Sequence, residues 1–123
     1  MIAHSRFCLP AEACGLIAGE RTEGGLQVRM IYSLTNADHS PVAYTIDPME
    51  HFRALQHAER NGWELIGAFH SHPTGSGYPS QTDVGKAAEP EWAWCVIGMA
   101  DPDHPDVGVF SIKDGEVRRT YPQ

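Results

Sequence analysis

Cysteine is scarce in this chain, and the cysteines present do not form pairs. Cys8, Cys14 and Cys95 are an odd set with no C-x-x-C spacing. A disulfide framework needs an even set, and zinc fingers and ribbons need paired cysteines, so both classes are excluded. A sparse, odd set of cysteines is typical of a reducing compartment, and we therefore predict a cytoplasmic protein.

The chain also lacks long apolar runs and an excess of positive charge. No apolar segment approaches the roughly 20 residues of a membrane span, and the first residues lack the apolar stretch of a signal peptide. The 9 Lys and Arg residues are outnumbered by 16 Asp and Glu residues. An acidic surface repels phosphate backbones, so we expect neither a nucleic acid nor a membrane as a partner. A length of 123 residues predicts one domain, spanning 1–123.

Short runs of apolar or alternating residues, separated by turn residues, predict a β-sheet. Asp114-Gly115 is a typical two-residue hairpin turn between the last two runs. The predicted strands are Cys14–Ala18, Leu26–Leu34, Val42–Ile46, Trp63–Phe69, Trp92–Ala100, Val107–Lys113 and Glu116–Tyr121.

A helix is predicted after Asp47, which suits the N-cap position. Pro48 fits the first helical position, and Glu50 stands where the acid of a capping box belongs. The apolar residues of this helix recur at helical spacing and predict its inner face: Met49, Phe52, Leu55 and Ala58.

A second helix is predicted from Gln81 to about Ala88, with Ser80 as its N-cap. Strands that flank a central helix, with mostly short connections, indicate an α/β or α+β sandwich. The fold class we predict is α/β, a curved mixed β-sheet flanked by helices in a single domain.

Two histidines stand at the end of the predicted strand Trp63–Phe69. Side chains at i and i+2 point to one face of a strand, so His70 and His72 can converge on a metal. The loop that follows can fold back and bring Asp83 to the pair. Two histidines and one carboxylate are the ligand set of a catalytic zinc site with an open fourth position. Two alternatives stay open, namely a plain surface pair of histidines and a capping box formed by Ser80 and Asp83.

A zinc hydrolase also needs a general base close to the water that it activates. Glu12 is a candidate because it lies where a loop enters the buried strand Cys14–Ala18. An ordinary exposed glutamate is the alternative. His57-Ala58-Glu59 matches half of the zinc deaminase signature, but no Pro-Cys-x-x-Cys follows, so we reject that activity.

Taken together, two segments resemble the JAMM (MPN+) family of zinc metalloproteases. The first is Pro10–Gly19, which contains Glu12, and the second is His70-Ser71-His72-Pro73 followed by Pro79-Ser80 and Asp83. The resemblance implies the family's cytidine-deaminase-like fold and a bound Zn²⁺. It implies that His70, His72 and Asp83 are the zinc ligands. By the same resemblance, Glu12 is the base that passes a proton from the attacking water to the leaving amine, and the Ser80 hydroxyl donates to the oxyanion.

The resemblance to compact prokaryotic members also implies a substrate. These enzymes hydrolyse isopeptide or peptide bonds after the C-terminal Gly-Gly of ubiquitin-like or sulfur-carrier proteins of the ThiS/MoaD type, including fusions and amino-acid adducts. Two other hypotheses stay open: a module that binds ubiquitin-like proteins without cutting them, and a zinc peptidase for small amides or for cell-wall or phage-tail peptides.

One departure from the family pattern concerns the beginning of the chain. Family domains usually have a strand and most of a helix before the segment that matches His4-Ser5-Arg6. We therefore expect a truncated N-terminal strand and helix. A misassigned start codon and a missing piece replaced by a partner chain are the alternatives, and the short chain allows a homodimer.

Overall fold

The computed structural model describes residues 1–121 and contains three helices and six strands in that range. In chain order these are α1 (Ile2–Cys8), β1 (Cys14–Thr22), β2 (Gly25–Leu34), α2 (Pro48–Arg60), β3 (Glu64–His72), α3 (Gln81–Lys86), β4 (Ala93–Gly98), β5 (Asp106–Lys113) and β6 (Glu116–Tyr121). Within residues 1–121, none of the helices has both the length and the apolar character needed to cross a membrane.

The strands form a single mixed sheet in the order β2-β1-β3-β4-β5-β6. Strands β3 and β4 run parallel, and the other neighbours are antiparallel. The predicted hairpin between β5 and β6 is confirmed, and both turn residues, Asp114 and Gly115, have the positive φ that a type I′ turn requires. The α/β fold with a mixed sheet is confirmed.

The register of the strands places α1 and α2 on opposite faces of the sheet. Leu16 pairs with Ala68, and Ala68 pairs with Trp94, so these residues share the face on which α2 packs. Phe69 points to the other face, where the ring of His4 in α1 contacts it at 6.3 Å between centroids. The histidines of β3 are an even number of residues from Ala68 and therefore lie on the α2 face.

Helix α2 begins as predicted, but its packing differs from the prediction. Asp47 caps the helix by accepting hydrogen bonds from the N–H groups of Met49 and Glu50. The Glu50 carboxylate does not close a capping box and instead accepts from the N–H of Thr35 at 2.8 Å. Met49 and Phe52 are 57% and 53% exposed, so the predicted inner face is wrong at these two positions, whereas Ala58 is fully buried as predicted. The helix packs through small residues, Ala54 and Ala58, because only these let its backbone approach the sheet closely.

Three further predictions about secondary structure need correction. Val42–Ile46 is not a strand, because only Ile46 forms a β-bridge, with Asn36. Helix α3 ends at Lys86 rather than Ala88. Trp92 precedes β4 instead of lying on it, although its ring still packs against Trp94 with centroids 5.6 Å apart.

Candidate metal centre and catalytic cleft

The site is built on the last residues of β3, where alternate side chains serve two purposes. His70 and His72 point to the α2 face, while Ser71 between them is fully buried and faces the other way. The Ser71 hydroxyl accepts a hydrogen bond from the N–H of Ala13 at 2.8 Å, and the backbone N–H of Ser71 donates to the Ala13 carbonyl at 3.0 Å. The strand that carries the histidines is therefore tied to the residue that follows Glu12.

The predicted third member of the cluster reaches the histidines through the cap of α3. The Asp83 Oδ2 atom lies 3.0 Å from the Nε2 atoms of both His70 and His72, and those two nitrogens are 3.2 Å apart. The capping box is also present, because Ser80 Oγ accepts from the Asp83 N–H and Asp83 Oδ2 accepts from the Ser80 N–H. The capping box and a place beside the histidines are thus compatible for Asp83, and the cap fixes the carboxylate that faces the histidines.

The loop between β3 and α3 is held against the sheet at a distance that only glycine permits. A Cβ atom on Gly77 would lie 2.1 Å from the Asp106 carbonyl oxygen, and one on Gly98 would lie 2.4 Å from the backbone of Ser76. The Gly77 N–H also donates to the Asp106 carboxylate at 2.8 Å. This close packing places the Ser76 carbonyl oxygen 2.9 Å from His72 Nδ1. An Nδ1–H that donates to this carbonyl leaves the Nε2 lone pair free to bind a metal.

The three converging atoms fit the ligand spacing of zinc. A tetrahedral ion with bonds of about 2.0–2.1 Å separates its ligand atoms by roughly 3.3 Å. The corresponding separations here are 3.0, 3.0 and 3.2 Å. Among residues 1–121, His70, His72 and Asp83 are the group of His, Cys, Asp or Glu side chains close enough together to share an ion.

The charges in the cluster favour a deprotonated carboxylate. Burial alone would raise the pKa of Asp83, but hydrogen bonds with His70, His72 and the Ser80 N–H hold that pKa well below its ordinary value. The hydrogen bond with Asp83 raises the pKa of His72 against the opposing effect of burial. A carboxylate that stays ionised, beside two imidazoles, is ready to bind a cation at neutral pH.

Glu12 and Ser80 line one cleft with His72. The cleft has a volume of about 230 Å³, and its walls come from Pro41, Val42 and the loop that follows His72. Glu12 is only 5% exposed, so the alternative of an ordinary surface glutamate is wrong. Burial raises the pKa of Glu12 to about 7, with His72 and Lys86 acting in the opposite direction. A carboxyl group with this pKa changes protonation state near neutral pH, which suits proton transfer.

Two residues that the sequence patterns did not reveal complete the surroundings of the site. The ring of Tyr44 stacks on His70 with centroids 4.7 Å apart and an interplanar angle of 22°. Asn36 is buried and donates a hydrogen bond to the Glu12 carbonyl at 3.1 Å. Both lie in the segment between β2 and α2, where a strand was predicted only for Val42–Ile46, and no local pattern marks them.

Other sequence clusters do not join this site. His57 hydrogen-bonds to the hydroxyl of Tyr32 at 2.8 Å instead of facing Glu59 in a metal site. A larger concavity, about 710 Å³, is mostly apolar and shares no lining residue with the cleft. Its Arg21 is paired with Glu64 at 2.7 Å. Neither His57 nor Arg21 therefore adds a functional group to the cleft.

Comparison with known proteins gives a consistent result. Residues 1–114 match the family model described as prokaryotic homologs of the JAB domain. The chain is 34% identical over 117 residues to the CysO-cysteine peptidase of Mycobacterium tuberculosis, covering 95% of this chain and 79% of that protein. It is 34% identical over 88 residues to the desampylase of Haloferax volcanii, covering 71% of this chain and 62% of that protein.

Solved structures share the fold of this chain. A protein from Desulfitobacterium hafniense superposes with a TM-score of 0.87 at 39% identity, over 97% of this chain and 82% of that one. A JAB1/MPN domain protein from Archaeoglobus fulgidus superposes with a TM-score of 0.57 over 95% of this chain and 84% of that one. At 16% identity, the second match concerns the fold alone.

Proposed function

Because this chain belongs to the family of prokaryotic homologs of the JAB domain and is a peptidase, we propose a zinc-dependent isopeptidase activity for it. Its proposed substrate is a ubiquitin-like or sulfur-carrier protein, cut after the C-terminal Gly-Gly, whether the carrier is fused, conjugated or joined to an amino acid. The observation that carries the proposal is the convergence of His70, His72 and Asp83 beside a cleft lined by Glu12 and Ser80.

Each polar group of the site has a role in this proposal. His70, His72 and Asp83 would hold the ion through the three atoms that already converge. A bound Zn²⁺ lowers the pKa of a coordinated water towards neutrality and polarises a carbonyl group. Glu12 takes a proton from the attacking water and then gives it to the leaving amine, for which a pKa of about 7 suits both directions.

Ser80 supplies a hydroxyl proton to the oxygen on which negative charge grows. In the cap of α3 its Oγ atom only accepts, from the Asp83 N–H at 3.1 Å. The hydroxyl proton therefore remains free to donate into the cleft, and a donor at that position stabilises the transition state more than the substrate.

The proposed substrate class rests on the relatives and on the shape of the cleft. The relatives are named for CysO-cysteine cleavage and for desampylation. The cleft is small, and Gly75 on its wall lies so close to His72 that an added Cβ would be 3.2 Å from the His72 Cβ. A cleft of this size has room for an extended tail of glycines, which carry no side chains.

The experiment that tests this function uses a carrier protein with a Gly-Gly tail joined to a reporter protein. We expect stoichiometric zinc in the purified enzyme, release of the carrier at the Gly-Gly, and loss of cleavage with a chelator that is reversed by added zinc. A carrier whose tail ends in Ala-Ala is the matched control and should not be cut. Metal-free protein that cleaves in the presence of chelator contradicts the proposal.

The same experiment separates the other hypotheses. Tight binding of the carrier without cleavage identifies a non-cutting binding module for ubiquitin-like proteins. Cleavage of small amides or of cell-wall or phage-tail peptides, with the carrier conjugate left intact, identifies a peptidase with a different substrate. The predicted cytoplasmic location and the homodimer remain predictions, which cell fractionation and light scattering can test.

Replacing the Ser80 hydroxyl tests its role as oxyanion donor. We expect Ser80→Ala to keep its zinc and to lose on the order of 10²-fold in kcat, the effect typical of one such donor. Because the substitution also removes the cap of α3, the control is Ser80→Asp, which keeps a cap acceptor but offers no hydroxyl proton. Both variants should be slow. A Ser80→Asp enzyme with the wild-type kcat contradicts the role of the hydroxyl.

A further inference from the structure

Asn36 is a buried polar side chain whose hydrogen-bonding capacity is fully used. It lies just after β2 and is 6% exposed. Its Nδ2 atom donates to the carbonyl oxygens of Glu12 at 3.1 Å and Ala43 at 3.0 Å. Its Oδ1 atom accepts from the N–H groups of Asp38 at 3.0 Å and Thr45 at 3.1 Å. An amide offers two hydrogens and two lone pairs, and all four are used here. One side chain therefore binds both ends of the loop 36–47 and also binds Glu12, which lies outside that loop.

Both backbone polar groups of Glu12, its N–H and its carbonyl, form hydrogen bonds with this loop. The Glu12 N–H donates to the Ser40 carbonyl at 2.8 Å, and the Glu12 carbonyl accepts from Asn36. The next residue, Ala13, is bound to Ser71 of β3 by the pair of hydrogen bonds described above. Glu12 is thus held between the loop and the strand that carries the histidines. On the side of the loop, the hydrogen bonds come from the Asn36 amide and the Ser40 carbonyl.

The loop that Asn36 organises also shapes the rest of the site. Pro41 and Val42 form one wall of the cleft, and Tyr44 stacks on His70. A loop without regular secondary structure needs another source of rigidity, since its backbone groups lack the partners that a strand supplies. Here the Asn36 side chain binds three backbone groups of the loop, namely the Ala43 carbonyl and the N–H groups of Asp38 and Thr45.

We propose that Asn36 is a positioning residue, whose amide holds the Glu12 backbone so that the carboxylate reaches the attacking water. The expected effect on kcat rests on the proposed function, whereas the expected loss of support for the Glu12 backbone rests on the structure alone. A displacement of about 1 Å in a catalytic group can reduce a rate on the order of 10²-fold. The proposed zinc ligands lie on β3 and α3 rather than on this loop, so zinc affinity should change much less than kcat.

The test compares Asn36→Asp with Asp38→Ala. The first variant is nearly isosteric and keeps the oxygen that accepts from Asp38 and Thr45, but it turns an oxygen towards the carbonyls of Glu12 and Ala43. The second removes a carboxylate of the same loop that accepts from the Thr45 hydroxyl at 2.7 Å and does not touch Glu12. Asn36→Ala serves as an additional variant, with thermal unfolding measured for all three.

We expect Asn36→Asp to lower kcat on the order of 10²-fold, with KM and zinc affinity within about threefold of the wild type. Hydrogen exchange at the Glu12 amide should become at least about tenfold faster, because the bond to Ser40 loses its support. Asp38→Ala should leave kcat and the exchange of the Glu12 amide near wild-type values even if it lowers the unfolding temperature.

Each result decides for or against the proposal. Unchanged exchange at the Glu12 amide in Asn36→Asp overturns it, and so does faster exchange with an unchanged kcat. An equal loss of kcat in Asp38→Ala at equal thermal stability also overturns it, because loop stability would then explain the effect. If the wild type cleaves no carrier conjugate, the proposed function fails, and the exchange measurement still decides whether Asn36 holds Glu12.

Discussion

Asp83→Ala is expected to abolish stoichiometric zinc binding and, with it, hydrolysis of a carrier conjugate. The Asp83 Oδ2 atom is the only anionic member of the converging cluster and lies 3.0 Å from each histidine nitrogen. Substitution of groups that merely orient a ligand reduces metal affinity about 10–100-fold, so removal of a ligand should exceed that range. His70→Ala should give the same result. Metal content and competition with a chromophoric chelator measure the loss.

Asp83 also caps α3, and the experiment must separate the two roles. Asp83→Asn keeps a side-chain oxygen for the Ser80 N–H but removes the negative charge, so we expect α3 to remain capped while zinc affinity still falls steeply. Asp103→Ala, at an exposed position in the loop before β5, is the matched control for the loss of one carboxylate. Wild-type zinc affinity in both Asp83 variants contradicts the assignment of Asp83 as a ligand.

The parts of this fold that were predictable carry their signals locally. The turn at Asp114-Gly115 needs two residues that tolerate positive φ, and the N-cap at Asp47 needs a short acceptor followed by Pro48. The pairing of His70 with His72 follows from the period of two along any strand. In each case the determining residues are neighbours in the chain, so the sequence pattern is sufficient.

The predictions that were wrong depended on contacts between distant parts of the chain. Val42–Ile46 has β-rich composition, but the amide of Asn36 occupies the backbone groups that a neighbouring strand would otherwise bind. Met49 and Phe52 have helical spacing, but α2 approaches the sheet through Ala54 and Ala58. Periodicity identifies an apolar face, yet it does not say which neighbouring face comes closest to the sheet.

The same distinction applies to the candidate site. The motif residues were found from spacing and from the family resemblance, and the structure brings them to one end of β3. The burial of Glu12, the stacking of Tyr44 on His70 and the contact of Asp106 with Gly77 were not predictable. Each joins segments that are far apart in the sequence, and burial of a single charged residue has no local signature.

Glu12→Gln should reduce kcat on the order of 10²–10⁴-fold while leaving zinc bound, since an amide cannot accept the proton of the attacking water. The variant keeps the size of the side chain, and its backbone contacts with Asn36 and Ser40 are unchanged. Glu59→Gln, at an exposed position on α2, is the matched control and should retain full activity. Retained binding of the carrier conjugate together with lost cleavage would place the effect in the chemical step.

The same substitution should stabilise the metal-free protein above neutral pH. The pKa of Glu12 is raised from 4.5 to about 7 by burial, so the folded state binds a proton between these values that the unfolded state has released. Wild-type stability therefore falls as the pH rises from about 4.5 to about 7, and the lost stability is not recovered at higher pH. Glu12→Gln does not lose this stability, which amounts to roughly 3 kcal/mol at 1.36 kcal/mol per pKa unit.

Denaturant unfolding of both metal-free proteins at pH 4, 6 and 8 measures this difference. The free energies of unfolding should agree at pH 4 and diverge in favour of Glu12→Gln at pH 8, whereas Glu59→Gln should follow the wild type throughout. For a buried general base, the substitution should raise stability and lower activity together. The burial that raises the pKa of the carboxyl group also opposes its ionisation in the folded protein. Equal stability at pH 8 combined with an unchanged kcat would exclude Glu12 as the base.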